Sequence, residues 1–158
     1  MIVRIRRMNE SDVDFVAQLA ILANPYADAS SYRKHIVEEL REYPDLSFVA
    51  ENEEGMILGY VQGEVHGDIG LLEDLAVSES HQRRGIGTLL LKREIEAMKG
   101  KGAKIIRAEV HYKCAGAIPF YYKFGFRIAG SVQDLFGAGQ DAIILKLEIQ
   151  KGQLDSPQ

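Results

Sequence analysis

From Ile2 to Arg7, apolar and basic residues alternate with the period of a strand that buries one face. The spacing then changes to three and four at Val13, Val16, Leu19 and Ala20, which predicts an amphipathic helix capped by Asn9 or Ser11 and ended by Asn24-Pro25. A second helix is expected from Ala29-Ser30-Ser31, with Ile36 and Leu40 on its apolar face and a stop before Pro44. Leu46 to Glu51 and Ile57 to Val65 read as strands joined by the turn Asn52-Glu53-Glu54-Gly55, and His66-Gly67-Asp68 turns the chain into a third, Leu71 to Val77. A helix with Leu91, Ile95 and Met98 on one face follows over Leu89 to Met98, with Gly100 or Gly102 as its end. Lys104 to His111 reads as a strand, Cys114 to Phe124 as a short helix, and Phe126 to Gln133 with Asp141 to Ile149 as a closing hairpin; the polar stretch Lys151 to Gln158 is expected to fray. The order β-α-α-β-β-β-α-β-α-β-β predicts an α/β (α+β) protein with one mixed central sheet and helices on both faces. No repeat or linker interrupts it.

Composition narrows the partners. A chain of 158 residues is one domain by size and long enough to bury a core. The net charge of −4 and the lack of a basic run argue against nucleic acid as the main partner, and leave cationic substrates open. The lone cysteine, Cys114, excludes an internal disulfide and suits a reducing compartment. Met1 to Arg7 is too short and too charged for a signal peptide, and no apolar stretch has bilayer length, so the expected location is cytoplasmic with no membrane partner.

The segment Gln82-Arg83-Arg84-Gly85-Ile86-Gly87-Thr88 carries the strongest chemical signal. It lies between an apolar strand and an amphipathic helix. A strand that turns through glycines into a helix leaves N–H groups free at the helix start, where the helix dipole also favours an anion. Two glycines let a ligand approach the backbone, and two arginines add positive charge. Three phosphate loops compete for the segment. The dinucleotide fingerprint needs a third glycine where Leu90 stands, and the nucleoside-triphosphate loop needs a lysine before Thr88. The spacing that fits is Gln/Arg-x-x-Gly-x-Gly.

That loop, with Ala76-Val77-Ser78 before it, Thr88-Leu89-Leu90 after it and Tyr121-Tyr122-Lys123-Phe124-Gly125-Phe126 farther on, resembles the acyl-CoA-dependent N-acetyltransferases of the GNAT superfamily. The best-matched region runs from about Leu71 to Phe126, and the element order is that of the GNAT fold. The resemblance implies that residues 1–150 form one acetyl-CoA-binding domain. In that fold the strand before the loop and the strand Lys104 to His111 splay apart, with the pantetheine arm of the CoA between them. By the same resemblance, Leu75, Ala76, Val77, Gln82, Arg83, Arg84, Gly85, Ile86, Gly87, Thr88, Cys114, Ala117 and Tyr121 contact the cosubstrate. No metal is expected, and His35, His66 and His111 have no metal-ligand spacing. A homodimer stays open.

Acetyl transfer to an amine needs a neutral amine, a stabilised thioester oxygen and a protonated leaving thiolate. Tyr121, four residues before Gly125, stands where the family has a tyrosine near the thioester sulfur; its surroundings, Phe120, Tyr122, Phe124 and Phe126, also suit a core aromatic. Two carboxylates compete as base. Ala108-Glu109-Val110-His111 resembles the Leu-Glu-Val-Arg segment of the ribosomal-protein N-terminal acetyltransferases, where the glutamate precedes the tyrosine by the same interval. Glu73, in Leu72-Glu73-Asp74-Leu75, is where many members carry an acid facing the amine. Either could instead be a solvated strand-face residue, or pair with Arg107. Alternation puts Asp74 on the opposite face from Glu73, where it is the weaker candidate, unless a bulge there changes the register. Cys114 is expected to open the short helix, where a thiol can be activated or can simply fit. Gly137-Ala138-Gly139-Gln140-Asp141-Ala142-Ile143 also resembles the ribosomal-protein branch, with Asp134-Leu135-Phe136 in place of its usual tyrosines. The expectation is an N-acetyltransferase acting on a primary amine, either a protein or peptide N-terminus or a small amine. The acceptor would be chosen by Pro25 to Tyr32 and Val132 to Gln140. The alternative is a non-catalytic CoA-binding sensor on the same fold.

Overall fold

The computed structural model describes residues 1–24 and 28–149. The expected tail Lys151 to Gln158, and Pro25 of the first helix stop, lie outside the described residues. Among the described residues, seven strands and four α-helices follow the expected order: β1 (Arg4–Arg7), α1 (Val13–Ala23), α2 (Ala29–Glu42), β2 (Ser47–Glu51), β3 (Ile57–His66), β4 (Ile69–Val77), α3 (Ile86–Gly100), β5 (Ile105–His111), α4 (Ile118–Lys123), β6 (Arg127–Val132) and β7 (Ala142–Glu148). The strands form a mixed seven-stranded sheet, β1-β2-β3-β4-β5-β7-β6. β4 and β5 run parallel, with Ile69 opposite Ile105 and Leu72 opposite Ala108, while β5 and β7 are antiparallel. No helix among the described residues is long and apolar enough to cross a membrane.

The chain packs as two compact units, Met1–Glu64 with Glu73–Met98, and Val65–Leu72 with the chain from Lys99 onward. In the first unit, strand alternation sorts residues between two helical layers. Val49 and Tyr60, cross-strand partners, are buried with Val16, Ala20, Ile36 and Leu40 of α1 and α2. Phe48, one residue from Val49, faces the other way and carries the Arg93 guanidinium of α3 over its ring at 4.9 Å. Gly59 allows the close approach behind this packing: a Cβ there would lie 2.9 Å from the Ala76 carbonyl oxygen and 3.1 Å from Leu90 Cδ1. Each large apolar side chain buried in these layers contributes about 1.5–3 kcal/mol. Asp28 caps α2 by accepting the Ser31 N–H at 3.1 Å, which fixes the start of that helix.

In the second unit, β7 pairs on one side with β5 and on the other with β6, whose register shifts between Ile128 and Gly130. The Tyr121 and Phe126 rings meet edge to face at 5.4 Å, and Phe126 is fully buried. The short helix expected over Cys114 to Phe124 is corrected to two pieces. A 3-10 stretch covers Tyr112–Ala117, and α4 begins at Ile118 with Pro119 in its first turn. Cys114 sits inside the 3-10 stretch with non-helical torsions (φ −101°, ψ 18°), so it does not open an α-helix. The reason is local: Pro119 lacks an N–H and is tolerated only near a helix start, so the α-helix begins just before it.

Candidate active site

The glycine loop is made by the chain's backbone. Arg83 and Gly85 adopt left-handed torsions, φ 64° and φ 83°, and a Cβ added at Gly85 would meet nothing within 4 Å. A non-glycine residue in that region is costly, and such residues concentrate at functional sites. The first backbone bond closing the start of α3 is Leu89 N–H to the Gly85 carbonyl, at 3.1 Å. The N–H groups of Ile86, Gly87 and Thr88 therefore precede the helical ladder, in the position where a helix holds an anion. Ile86 is buried and fixes the loop to the core. Gln82 turns its amide back, donating to the Val77 carbonyl at 3.1 Å. Arg83 and Arg84 are exposed. The loop thus suits a pyrophosphate: backbone donors at a helix start, open space above Gly85 and two guanidinium groups.

The same unit assembles an acidic wall on α2, β3 and β4. Oxygens of Glu39, Glu64 and Glu73 lie within 4.8 Å of one another, a group that could hold a cation. Burial first, and then the adjacent Glu64 carboxylate, push Glu39 up to about 9, so at neutral pH it keeps a proton and donates it to Glu64. Glu73 reaches His35 of α2 at 3.8 Å. Asp74 reaches α2 as well, accepting the Tyr32 hydroxyl there and the Tyr60 hydroxyl of β3, while its other oxygen accepts the Leu75 N–H at 3.0 Å. Burial raises the Asp74 carboxyl against the opposing pull of these donors. Two consecutive residues that reach one helix break simple strand alternation, so the expectation that Asp74 points away from Glu73 is corrected. Histidine spacing could not reveal the carboxylate group, because one helix and two strands contribute to it.

The second unit holds the other expected groups. Tyr121 is buried, with its ring against Phe120 at 5.3 Å and Phe126 at 5.4 Å. Glu109 is exposed and pairs loosely with Arg107 at 3.4 Å. The turn at residues 133–141 is ordered around Asp134, whose carboxylate accepts the Gly139 N–H at 2.7 Å. His111, buried at the end of β5, accepts the Lys113 N–H on Nδ1 at 3.1 Å, leaving Nε2 to donate to Gln140 Oε1 at 2.6 Å. Its ring stacks on Phe136 at 5.5 Å. Ala117 ends the 3-10 stretch, and Leu75, Ala76 and Val77 form the end of β4.

A glycine loop entering a helix on a mixed sheet has the form of an acetyltransferase of the GNAT type, and the comparisons with known proteins agree. The profile of the acetyltransferase (GNAT) family matches residues 13–126, and the chain belongs to that family. An N-alpha-acetyltransferase from Sulfurisphaera tokodaii is 31% identical over 156 residues, covering 90% of each chain. Ard1 from Thermoplasma volcanium matches with a TM-score of 0.85 at 22% identity, over 95% of this chain and 99% of its own. An aminoglycoside 6'-N-acetyltransferase complexed with coenzyme A matches with a TM-score of 0.78 at 18% identity, over 95% of this chain and 98% of its own. The two structures share the fold, and the family and its relatives make this chain an N-acetyltransferase.

Proposed function

We propose that the protein transfers an acetyl group from acetyl-CoA to a primary amine, a protein or peptide N-terminus or a small amine, by direct attack. The observation that carries this reading is the loop at residues 82–88, with its N–H groups ahead of the α3 ladder. The relative named N-alpha-acetyltransferase favours an α-amine. Acetyl-CoA supplies an activated acetyl thioester. The N–H groups of Gly85, Ile86, Gly87 and Thr88, with Arg83 and Arg84, hold the pyrophosphate; the N–H groups of Ala76 and Val77 hold the pantetheine arm. Tyr121 gives its hydroxyl proton to the leaving thiolate. Glu109 or Glu73 accepts the proton of the acceptor amine, directly or through water, since a protonated amine cannot attack. The acidic wall of Glu39, Glu64 and Glu73 supports a cationic acceptor, which loses one proton on the way to reaction. No step requires a metal. The test is thiol release from acetyl-CoA with free-α-amine peptides and polyamines as acceptors. Release that depends on the amine supports the reading, and binding of acetyl-CoA without release on any amine sinks it in favour of a sensor.

A further inference from the structure

Glu39 of α2, Glu64 of β3 and Glu73 of β4 each bring a carboxylate oxygen within 4.8 Å of the other two. Like charges this close repel unless an opposite charge stands between them. The charges that act most strongly on Glu39 are Glu64, Glu73 and Glu42, all negative. The proton shared with Glu64 engages one oxygen of Glu39. The residue is 5% exposed, and its Oε2 is buried with no hydrogen-bond partner. A second buried acceptor stands in the same layer. Gln62, two residues before Glu64 on the same face of β3, is 1% exposed. Its Nε2 donates to the Ile36 carbonyl of α2 at 3.1 Å, one turn before Glu39, and its Oε1 has no partner. Two orphaned acceptors between one helix and one strand call for a donor or a cation. Water supplies donors but leaves the carboxylates facing one another; a cation answers both.

The donor set narrows the ion. Carboxylate oxygens are hard ligands, suited to Mg2+, Ca2+ and Mn2+. Two oxygens bound to one Ca2+ stand at most about 5 Å apart, and on the smaller Mg2+ about 4 Å, so a spread of up to 4.8 Å suits the larger ion. His35 Nε2, 3.8 Å from Glu73, adds an imidazole at the rim, a ligand for a transition ion. Glu73 is the outermost member, with 29% of its side chain exposed, so an ion can reach the group from solvent on that side. We propose that Glu39, Glu64 and Glu73 form a binding site for a divalent cation of the Mn2+ or Ca2+ kind, with His35 at its rim. On binding, the ion takes the place of the proton between Glu39 and Glu64, and that proton leaves to solvent. Its ligands come from α2, β3 and β4, so a bound ion ties the helix to the sheet. It also occupies Glu73, one of the two candidate bases. The acetyl-transfer step itself needs no ion, and the two readings are tested apart.

Mn2+ is the probe, added near neutral pH to the full chain after treatment with EDTA, without acetyl-CoA or amine. Electron paramagnetic resonance of the free ion should show saturable binding with a Kd on the order of 100 µM or tighter. In 15N-labelled protein, Mn2+ should broaden the amide resonances of Glu39, Glu64, Glu73 and their neighbours first, and excess Ca2+ should reverse the broadening. Glu39→Gln and Glu73→Gln keep shape and remove a charged ligand, and each should weaken Mn2+ about tenfold or more. Glu38→Gln, an exposed neighbour on α2, should leave the Kd within about twofold. Glu73 lies at the open rim, so its variant decides the matter even where Glu39→Gln fails to fold. No bound Mn2+ at millimolar concentration overturns the proposal. So does a Kd that Glu73→Gln leaves unchanged, broadening centred on other residues, or broadening that excess Ca2+ does not reverse. Acetyl-CoA turnover plays no part in these measurements, so failure of the cation site and failure of the acetyl-transfer reading are distinguished.

Discussion

The loop at residues 82–88 and the network around Asp74 lie close in the chain and are built in opposite ways. The loop keeps its polar groups open: its donors are backbone N–H groups ahead of a helix, its arginines are exposed, and left-handed torsions at Arg83 and Gly85 hold the turn. The Asp74 network closes on itself, with donors from α2, β3 and its own backbone on one carboxylate. An open set of donors is suited to a ligand; a closed set is suited to holding other elements in place. In a protein made this way, cosubstrate affinity should depend on backbone approach, and turnover on a few side-chain atoms.

The largest expected effect tests the side-chain half of that contrast. Tyr121→Phe should lower kcat by roughly 100-fold where chemistry limits the rate, in line with a lost general acid, and leave the acetyl-CoA Kd nearly unchanged. Retention of full turnover in steady-state assays would leave Tyr121 as the core aromatic that its contacts with Phe120 and Phe126 already make it.

Gly87→Val tests the backbone half. A branched side chain in the first turn of α3 obstructs approach to the N–H groups there, and acetyl-CoA affinity measured by calorimetry should fall roughly 30-fold, about 2 kcal/mol. An unchanged Kd in the folded variant would separate the loop from the cosubstrate.

Glu109→Gln should cost about tenfold near neutral pH, with partial recovery as rising pH deprotonates the amine without help. A pH–rate profile distinguishes the carboxylates. A loss confined to Glu73→Gln moves the role to Glu73, and a loss of equal size at every pH points to positioning instead.

The smallest effect concerns stability. Glu39 is raised from its ordinary 4.5 to about 9 in the folded protein, chiefly by burial. A carboxyl that holds its proton more tightly when folded favours folding most below its unfolded value, and that contribution is lost as pH climbs toward the folded one. Glu39→Gln, neutral at every pH, should therefore gain roughly 3 °C in Tm relative to wild type at pH 9 and almost nothing near pH 4.5. An equal shift at both pH values would contradict the shared proton.

The contrast also explains what could be read from the chain alone. Element order and the loop were legible because their signals are local, in periodicity and in glycine spacing over a few residues. Tyr121 stands out as a candidate for the same reason, through its interval to Gly125. The start of α3 was placed late, at Leu89 rather than Ile86, because the first helical turn is the loop itself and breaks the apolar period. The Asp74 network was not legible, since Asn24, Tyr32, Tyr60 and Asp74 meet only through folding, and simple strand alternation, without a bulge, puts Asp74 on the other side. The acidic wall was hidden likewise, because Glu39, Glu64 and Glu73 come from three elements.

In the proposed function, backbone N–H groups at the start of α3 receive the pyrophosphate of acetyl-CoA. Titration of 15N-labelled protein with CoA tests it at the atoms concerned. The amide resonances of Gly85, Ile86, Gly87 and Thr88 should shift and saturate together with the isotherm for CoA binding. Saturation of binding with those four amides unmoved would contradict it.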